Sequence, residues 1–244
     1  MYVYDGSFDG FLCCVHESVY KHEQPSEIWR EDNALLTMLE TRYIKTNNVM
    51  ASAVASSIPT RISVRVEELV NTVFLSCLEQ KELKLLTFLQ RSYNEGGNLA
   101  FSLGDKDVAP LLGAEKHLLG EAHLLKGFIR FADIGGALVA TITPKNYILP
   151  FIARHFLARY NRENFMIFDK TNKAALTYQN GAAEIINLDS VEFPEETAAE
   201  KKYQELWKRF YNTIAIESRT NPRCRMTHMP KRYWENMLEV RDLL

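Results

Sequence analysis

The residues best suited to chemistry lie near the carboxyl end of the sequence, at positions 219–234. This segment carries five cationic side chains and no carboxylate within sixteen residues, and it closes with Tyr233 and Trp234. Cations bind phosphate oxygens, while aromatic rings and guanidinium planes stack on exposed bases, so the pattern indicates a site for a polyanion. The alternative is a solvated loop whose arginines pair with the acidic stretch before it. The cations concerned are Arg219, Arg223, Arg225, Lys231 and Arg232.

A second candidate surface is predicted at residues 126–131. If these residues form a strand, Phe128 and Arg130 lie on the same face, which places a ring beside a cation as in sheets that bind single strands. The following predicted helix adds Arg154, Arg159 and Arg162. The alternative interpretation is that the phenylalanines of this strand pack in a core.

Candidate groups for acid–base chemistry are present, but none forms a diagnostic pair. They are Asp169, Glu217, His155 and His123, with Glu121 and Asp133 as further carboxylates. His155 has apolar neighbours typical of a core histidine, and Asp169 follows a predicted strand, where a carboxylate caps a turn. No nucleophile elbow, His-Glu-x-x-His or Ser-x-x-Lys motif occurs, and the four cysteines form no C-x-x-C pair. We therefore predict no metal and no cofactor, and the sequence leaves open whether the protein is an enzyme.

The elements that must position these residues follow from periodicity. Apolar residues at helical spacing predict helices over residues 9–21, from a cap at Ser63 to Gly96, over 105–126, from Pro144 onward and over 195–217. Short apolar runs predict strands at 128–131, 137–143 and 165–168, with a weaker pair at 175–178 and 184–188. The fold class predicted is α+β, with an antiparallel β-β-α-β-β centre at about 126–188 between helix-rich flanks. We expect one compact domain over residues 1–244, with a helical part at 1–125 and a closing helix and basic segment at 195–244.

Composition excludes several classes of protein. The chain has 244 residues, of which 46% are hydrophobic and 25% charged, with 29 basic against 31 acidic side chains. These values are those of globular proteins, and they exclude wholesale disorder and disulfide scaffolds. No apolar run is long enough for a membrane helix, and the first residues lack the basic region of a secretory signal. We expect a soluble cytoplasmic protein without a membrane partner, and a near-neutral charge argues against broad coating of DNA.

Several segments, taken in order, resemble a known family. They are Tyr4, Asp5, Gly6, Ser7 and Phe8 with Gly10, Phe11 and Leu12; Gly127, Phe128, Ile129, Arg130 and Phe131; His155, Phe156 and Arg159; Asp169; and Glu217, Arg219, Asn221 and Pro222 with Met229, Pro230, Lys231, Arg232, Tyr233 and Trp234. On these residues the chain resembles a family of DNA metabolism proteins, a domain of unknown function. Its members are encoded beside a radical-SAM protein linked to DNA modification or repair, or are fused ahead of a uracil-DNA-glycosylase-like domain.

The resemblance implies a context rather than a mechanism. It favours DNA and the radical-SAM protein as partners, and it makes Asn221 a further expected nucleic-acid contact beside the cations and rings of the closing segment. The leading hypothesis is an accessory protein that holds DNA for the radical-SAM partner. One alternative is an enzyme that acts on nucleic acid or a nucleotide through Asp, Glu and His. Another is a protein-interaction module without nucleic-acid contact.

Overall fold

The computed structural model describes residues 1–33, 40–194 and 197–243. The chain is mixed α/β and divides into two compact units, Met1–Leu118 and Leu119–Leu244. The single domain expected over the whole chain stays a prediction. None of the helices in the described ranges is long and apolar enough to cross a membrane.

The first unit is mainly helical. Its elements are β1 (Tyr2–Tyr4), α1 (Phe8–Lys21), β2 (Ile28–Arg30), β3 (Arg42–Tyr43), α2 (Asn48–Ser57), α3 (Val64–Phe74), α4 (Lys81–Glu95) and the start of α5 (Ala109–Phe128). The strands form a small parallel sheet in the order β2-β1-β3. The sequence reading assigned no strand to β2 or β3, because two or three residues are too few to show a period.

The residues of the amino-terminal motif, 4–8 and 10–12, form the end of β1, the turn between β1 and α1 and the first turn of α1. Asp5 Oδ1 accepts hydrogen bonds from the amide and the hydroxyl of Ser7, and Ser7 Oγ in turn accepts from the amide of Gly10 and caps α1. A Cβ on Gly10 would lie 2.3 Å from Asp5 Oδ1, so this position has no room for a side chain. These residues build the start of a buried helix.

The helix predicted from Ser63 to Gly96 is two helices. Ser63 caps α3 as expected, since its hydroxyl accepts from the amide of Val66. The helix ends at Phe74, and α4 begins after Gln80, which has a left-handed backbone with φ 52°. The apolar stripe is continuous in sequence because both helices bury the same kind of face, with Leu69 and Leu85 fully buried. Periodicity alone did not reveal the break.

The second unit contains a five-stranded sheet. Its elements are β4 (Ala132–Ile134), β5 (Ala137–Ile142), α6 (Leu149–Arg159), β6 (Phe165–Asp169), β7 (Ala174–Gln179), β8 (Ala182–Asn187), α7 (Ala198–Ile214) and α8 (Pro222–His228), together with the end of α5. The strands lie in chain order, β4-β5-β6-β7-β8. The hairpin β7–β8 turns at Asn180 and Gly181, both with positive φ, as the Asn-Gly pair predicts.

Three expectations for this centre were wrong. The sheet is mixed rather than antiparallel, because α6 connects β5 to β6 and makes them parallel. Residues 128–131 do not form a strand, since α5 continues to Phe128 and β4 begins only at Ala132. The helix expected from Pro144 begins at Leu149, with Pro150 in its first turn.

Candidate functional site

A basic pocket lies at the carboxyl end of α7. It has a volume of about 440 Å³ and is lined by residues of the segment 214–228, including Arg219, Arg225 and His228. Asn221 also lines it, and its side-chain oxygen accepts from the amide of Cys224, so Asn221 caps α8. The sequence reading expected an irregular segment here. A short helix instead brings two arginines and a histidine to one concave surface.

Within the part of the chain that the structure describes, no carboxylate neutralises the two arginines of this pocket or the neighbouring Arg223. Arg219 and Arg223 are exposed and Arg225 is half-buried. No ion pair joins any of these three arginines to a carboxylate among the described residues, which leave out residues 34–39 and 195–196 and the side chains of Glu217 and Asp242. A guanidinium that stays charged and keeps its donors free can grip a phosphate with two hydrogen bonds.

The last two residues of the predicted contact set, Tyr233 and Trp234, face inward, whereas Lys231 and Arg232 before them are exposed. Tyr233 and Trp234 are buried, and Trp234 Nε1 donates to the carbonyl of Met229. Arg232 forms an ion pair with the buried carboxylate of Glu121, with 3.0 Å between Nη2 and Oε1. The ammonium of Lys231 lies 5.6 Å from the ring centre of Trp234. The two rings at this end of the segment are buried, and Arg232 pairs with Glu121 rather than with the acidic stretch that the alternative interpretation names.

Glu121 is the centre of that anchor. It is 2% exposed, and its carboxylate accepts from the amides of Lys145 and Asn146, from the Asn146 side chain, and from Tyr233 and Arg232. Burial alone would raise the pKa of Glu121, but the hydrogen bonds from Lys145, Asn146 and Tyr233 outweigh it and lower the pKa. Glu121 is therefore a charged structural group that holds the closing segment to the unit.

Arg130 and Phe128 also have partners within the unit. The guanidinium of Arg130 lies 2.6 Å from Glu239, whose side chain is buried, and 5.5 Å from the ring centre of Trp207. The Phe128 ring lies 5.9 Å from that of Tyr233. Because residues 128–131 are not a strand, the expected pairing of Phe128 and Arg130 on one sheet face was wrong.

A groove larger than the basic pocket runs along α7. It has a volume of about 880 Å³, and Arg130 and Arg159 both line it. Five of the other twelve lining residues carry rings, among them Tyr160, Trp207 and Phe210. The structure thus brings together the two arginines that the sequence reading proposed outside the basic segment.

The candidate acid–base groups do not come together in the structure. Asp169 is fully buried, and its carboxylate accepts from the amides of Thr171 and Asn172 and from the Asn172 side chain, as in a turn cap. His155 has a buried Nε2 without a hydrogen-bond partner among the described residues, and burial lowers its pKa. His123 is exposed, and the side chain of Glu217 lies outside the described residues. A catalytic role for these four groups stays a prediction.

Two contributors were missed by sequence reasoning. Trp207 belongs by its spacing to the apolar stripe of the helix predicted over 195–217, but it is exposed in the groove and its indole Nε1 donates to Glu239, 3.2 Å away. No local sequence pattern indicates a role for Glu239, because its partners Arg130 and Trp207 are distant from it in the sequence. The dense cations on both sides of the α7 stripe were the one sign that this face was not core.

The second unit is therefore a mixed α/β fold with an aromatic groove along α7 and a basic pocket that begins at the end of this helix. Residues 79–239 match the family described as a domain of unknown function, DUF4130. The match covers well over half of the chain, and the chain belongs to this family. Comparison with curated proteins found no match, and comparison with solved structures found none.

Proposed function

We propose that this protein binds nucleic acid through the basic pocket at residues 214–228. The observation that carries the proposal is that Arg219, Arg223 and Arg225 have no carboxylate partner among the described residues, whereas Arg130 and Arg232 do. A guanidinium without a carboxylate partner keeps its donors available for phosphate oxygens, and a concave surface lets two such groups contact one phosphate.

The wider role is that of an accessory protein in DNA metabolism. The resemblance described above supports this role, together with a radical-SAM protein as the partner that carries the demanding chemistry. The protein would hold DNA and present it to that partner. The basic pocket supplies contacts to the phosphate backbone, which position a nucleic acid without reading its sequence.

Direct binding to a labelled oligonucleotide tests the proposal. Fluorescence anisotropy at low salt should show binding by the wild-type chain, and Arg219→Ala combined with Arg225→Ala should weaken it by about 10-fold or more. The matched control is Arg61→Ala, since Arg61 is also exposed, makes no ion pair among the described residues and lies in the first unit. The Arg61→Ala variant should bind the oligonucleotide with the affinity of the wild type.

Two outcomes would contradict the proposal. The first is a wild-type chain that binds neither single strands nor duplexes at low salt. The second is an equal loss in the Arg61→Ala control, which would mean that the cations act only through overall charge. Circular dichroism of each variant shows that the fold is kept.

A further inference from the structure

Helix α7 presents an apolar face that the described part of the chain leaves uncovered. Tyr203, Trp207, Phe210 and Ile214 follow one another at intervals of four, three and four residues, which places them on one side of the helix. All four are exposed, and Trp207 is 38% exposed. A helix normally buries such a stripe, so this face is available for a ligand or partner.

The Trp207 ring is held in place before any ligand arrives. Its indole nitrogen donates to Glu239, and the guanidinium of Arg130, itself bound to Glu239, lies 5.5 Å from the ring centre. Phe210 lies beside it, with ring centres 5.9 Å apart. A ring fixed in this way costs little conformational entropy when a flat partner stacks on it.

The charges around this face select the kind of occupant. Lys201, Lys202, Lys208 and Arg209 of the helix lie away from its ring-bearing side, as does the exposed Glu205, and Glu200 is buried against the amide of Asp133. Arg159 lines the groove beside the rings, and the basic pocket follows directly at Ile214. The cations beside the rings are thus Arg159 and those of the basic pocket, and they repel a second copy of the same face and attract a polyanion.

We infer that the aromatic face of α7 stacks the unpaired bases of single-stranded nucleic acid whose phosphates lie in the basic pocket. This inference rests on the proposed function and deepens it, because it names the form of nucleic acid. In a duplex the bases are stacked on each other and only their edges are open, so the rings gain contacts only from an unpaired strand. The basic pocket binds the phosphates of single strands and duplexes alike, whereas the rings contact only the bases of a single strand.

The test compares an oligothymidylate strand with its duplex of the same length. The wild-type chain should bind the single strand about 10-fold more tightly than the duplex. Trp207→Ala and Phe210→Ala should each weaken binding of the single strand by about 5- to 10-fold and leave duplex binding unchanged. The matched control is Phe101→Ala, since Phe101 is 64% exposed in the first unit and Phe210 is 53% exposed.

Tryptophan fluorescence gives a second measurement on the same complexes. Stacked bases quench an indole, and of the three tryptophans Trp207 is exposed in the groove, Trp234 is buried and the half-buried Trp29 lies in the first unit. The single strand should quench the wild-type emission, and Trp207→Phe should remove the quenching but keep most of the affinity, because the ring is retained.

The results separate the two proposals. If the wild type binds nothing, the proposed function fails and the inference fails with it. If it binds both forms equally, with loss in the Arg219→Ala, Arg225→Ala variant but none in Trp207→Ala, the proposed function stands and the inference is wrong. A wild-type dimer that the Trp207→Ala change dissociates would overturn the inference as well, because a second copy would then cover the face.

Discussion

Glu121 determines what several residues around it can do. Its buried carboxylate collects donors from a loop, from Tyr233 and from Arg232, and so it commits that arginine to structure. Arg225, only seven positions earlier than Arg232, has no such carboxylate among the described residues. Two arginines of one basic segment therefore have different roles because one buried acid lies beside only one of them.

Replacing Glu121 tests this structural role. Glu121→Gln removes the charge that faces Arg232 and turns an amide group toward hydrogen-bond donors, so we expect a loss of about 2–3 kcal/mol in the free energy of unfolding. The lower end of the range applies because Arg232 is partly exposed and solvent screens its charge. Urea denaturation gives the value. The control is Glu205→Gln, which replaces an exposed glutamate. We expect it to change the free energy of unfolding by less than about 0.5 kcal/mol.

Asp169 gives the unit a stability that depends on pH. Burial raises its pKa from 3.8 to about 6, with the negative charge of Glu121 adding to the effect and the hydrogen bonds from Asn172 and Thr171 opposing it. The folded state thus holds the proton more tightly than the unfolded state does. This contribution to stability is fully present below about pH 4 and is lost as the pH rises through 6.

The variant Asp169→Asn cannot titrate and so isolates that contribution. Its side-chain oxygen can still accept from the amides of Thr171 and Asn172. Between pH 4 and pH 7 the wild type should lose roughly 2 kcal/mol relative to the variant. Denaturation curves recorded across this range measure the difference. Parallel curves for the two proteins would show that Asp169 titrates normally.

Residue types were predictable from the sequence, but their partners were not. The basic segment is recognisable as a candidate site because residues 219–234 hold five cations and no acid. The pairing of Arg232 with Glu121 was not visible, because the two lie 111 positions apart and only the folded unit brings them together. The same holds for Arg130 and Glu239, which are 109 positions apart.

At the scale of elements, the buried Glu200 ties the first turn of helix α7 to the sheet, and Trp207 bonds Glu239 further along the helix. Thr197 caps its first turn, and Glu200 accepts from the amide of Asp133 in β4 and from the Gln204 side chain. Most of its apolar residues are exposed, so packing contributes less to this helix than to a core helix.

Amide hydrogen exchange tests how α7 is held. Glu200→Ala removes the contact to β4, and we expect faster exchange over residues 198–214 with little change in the sheet strands β5 and β6. Glu205→Ala alters an exposed glutamate of the same helix and should leave the rates as they are. Equal rates in both variants would mean that other contacts anchor the helix.

Helices were easier to predict than strands in this chain. Ser63 and the stripe that follows it gave the start of α3 correctly, because capping and periodicity are local signals. The Phe128–Arg130 run looked like a strand since it is short and apolar, but α5 extends through it as far as Phe128. The parallel pairing of β5 and β6 depends on the path of α6, which no local pattern encodes.

For the whole molecule, the distribution of charge matters more than its total. The chain has a formal net charge of −2, but residues 200–232 hold nine Lys and Arg side chains and three Glu. A nearly neutral protein with one basic segment approaches a polyanion through that segment alone. Binding should therefore depend on a few phosphate contacts rather than on the surface as a whole.

The salt dependence of binding tests the central claim most directly. Each phosphate contact releases counterions, so a plot of the logarithm of the binding constant against the logarithm of salt concentration should fall linearly. Arg219→Ala and Arg225→Ala should each make its slope shallower by about one. The Arg61→Ala control should keep the wild-type slope. A wild-type affinity that does not change with salt, or a slope that neither pocket variant alters, would contradict the account.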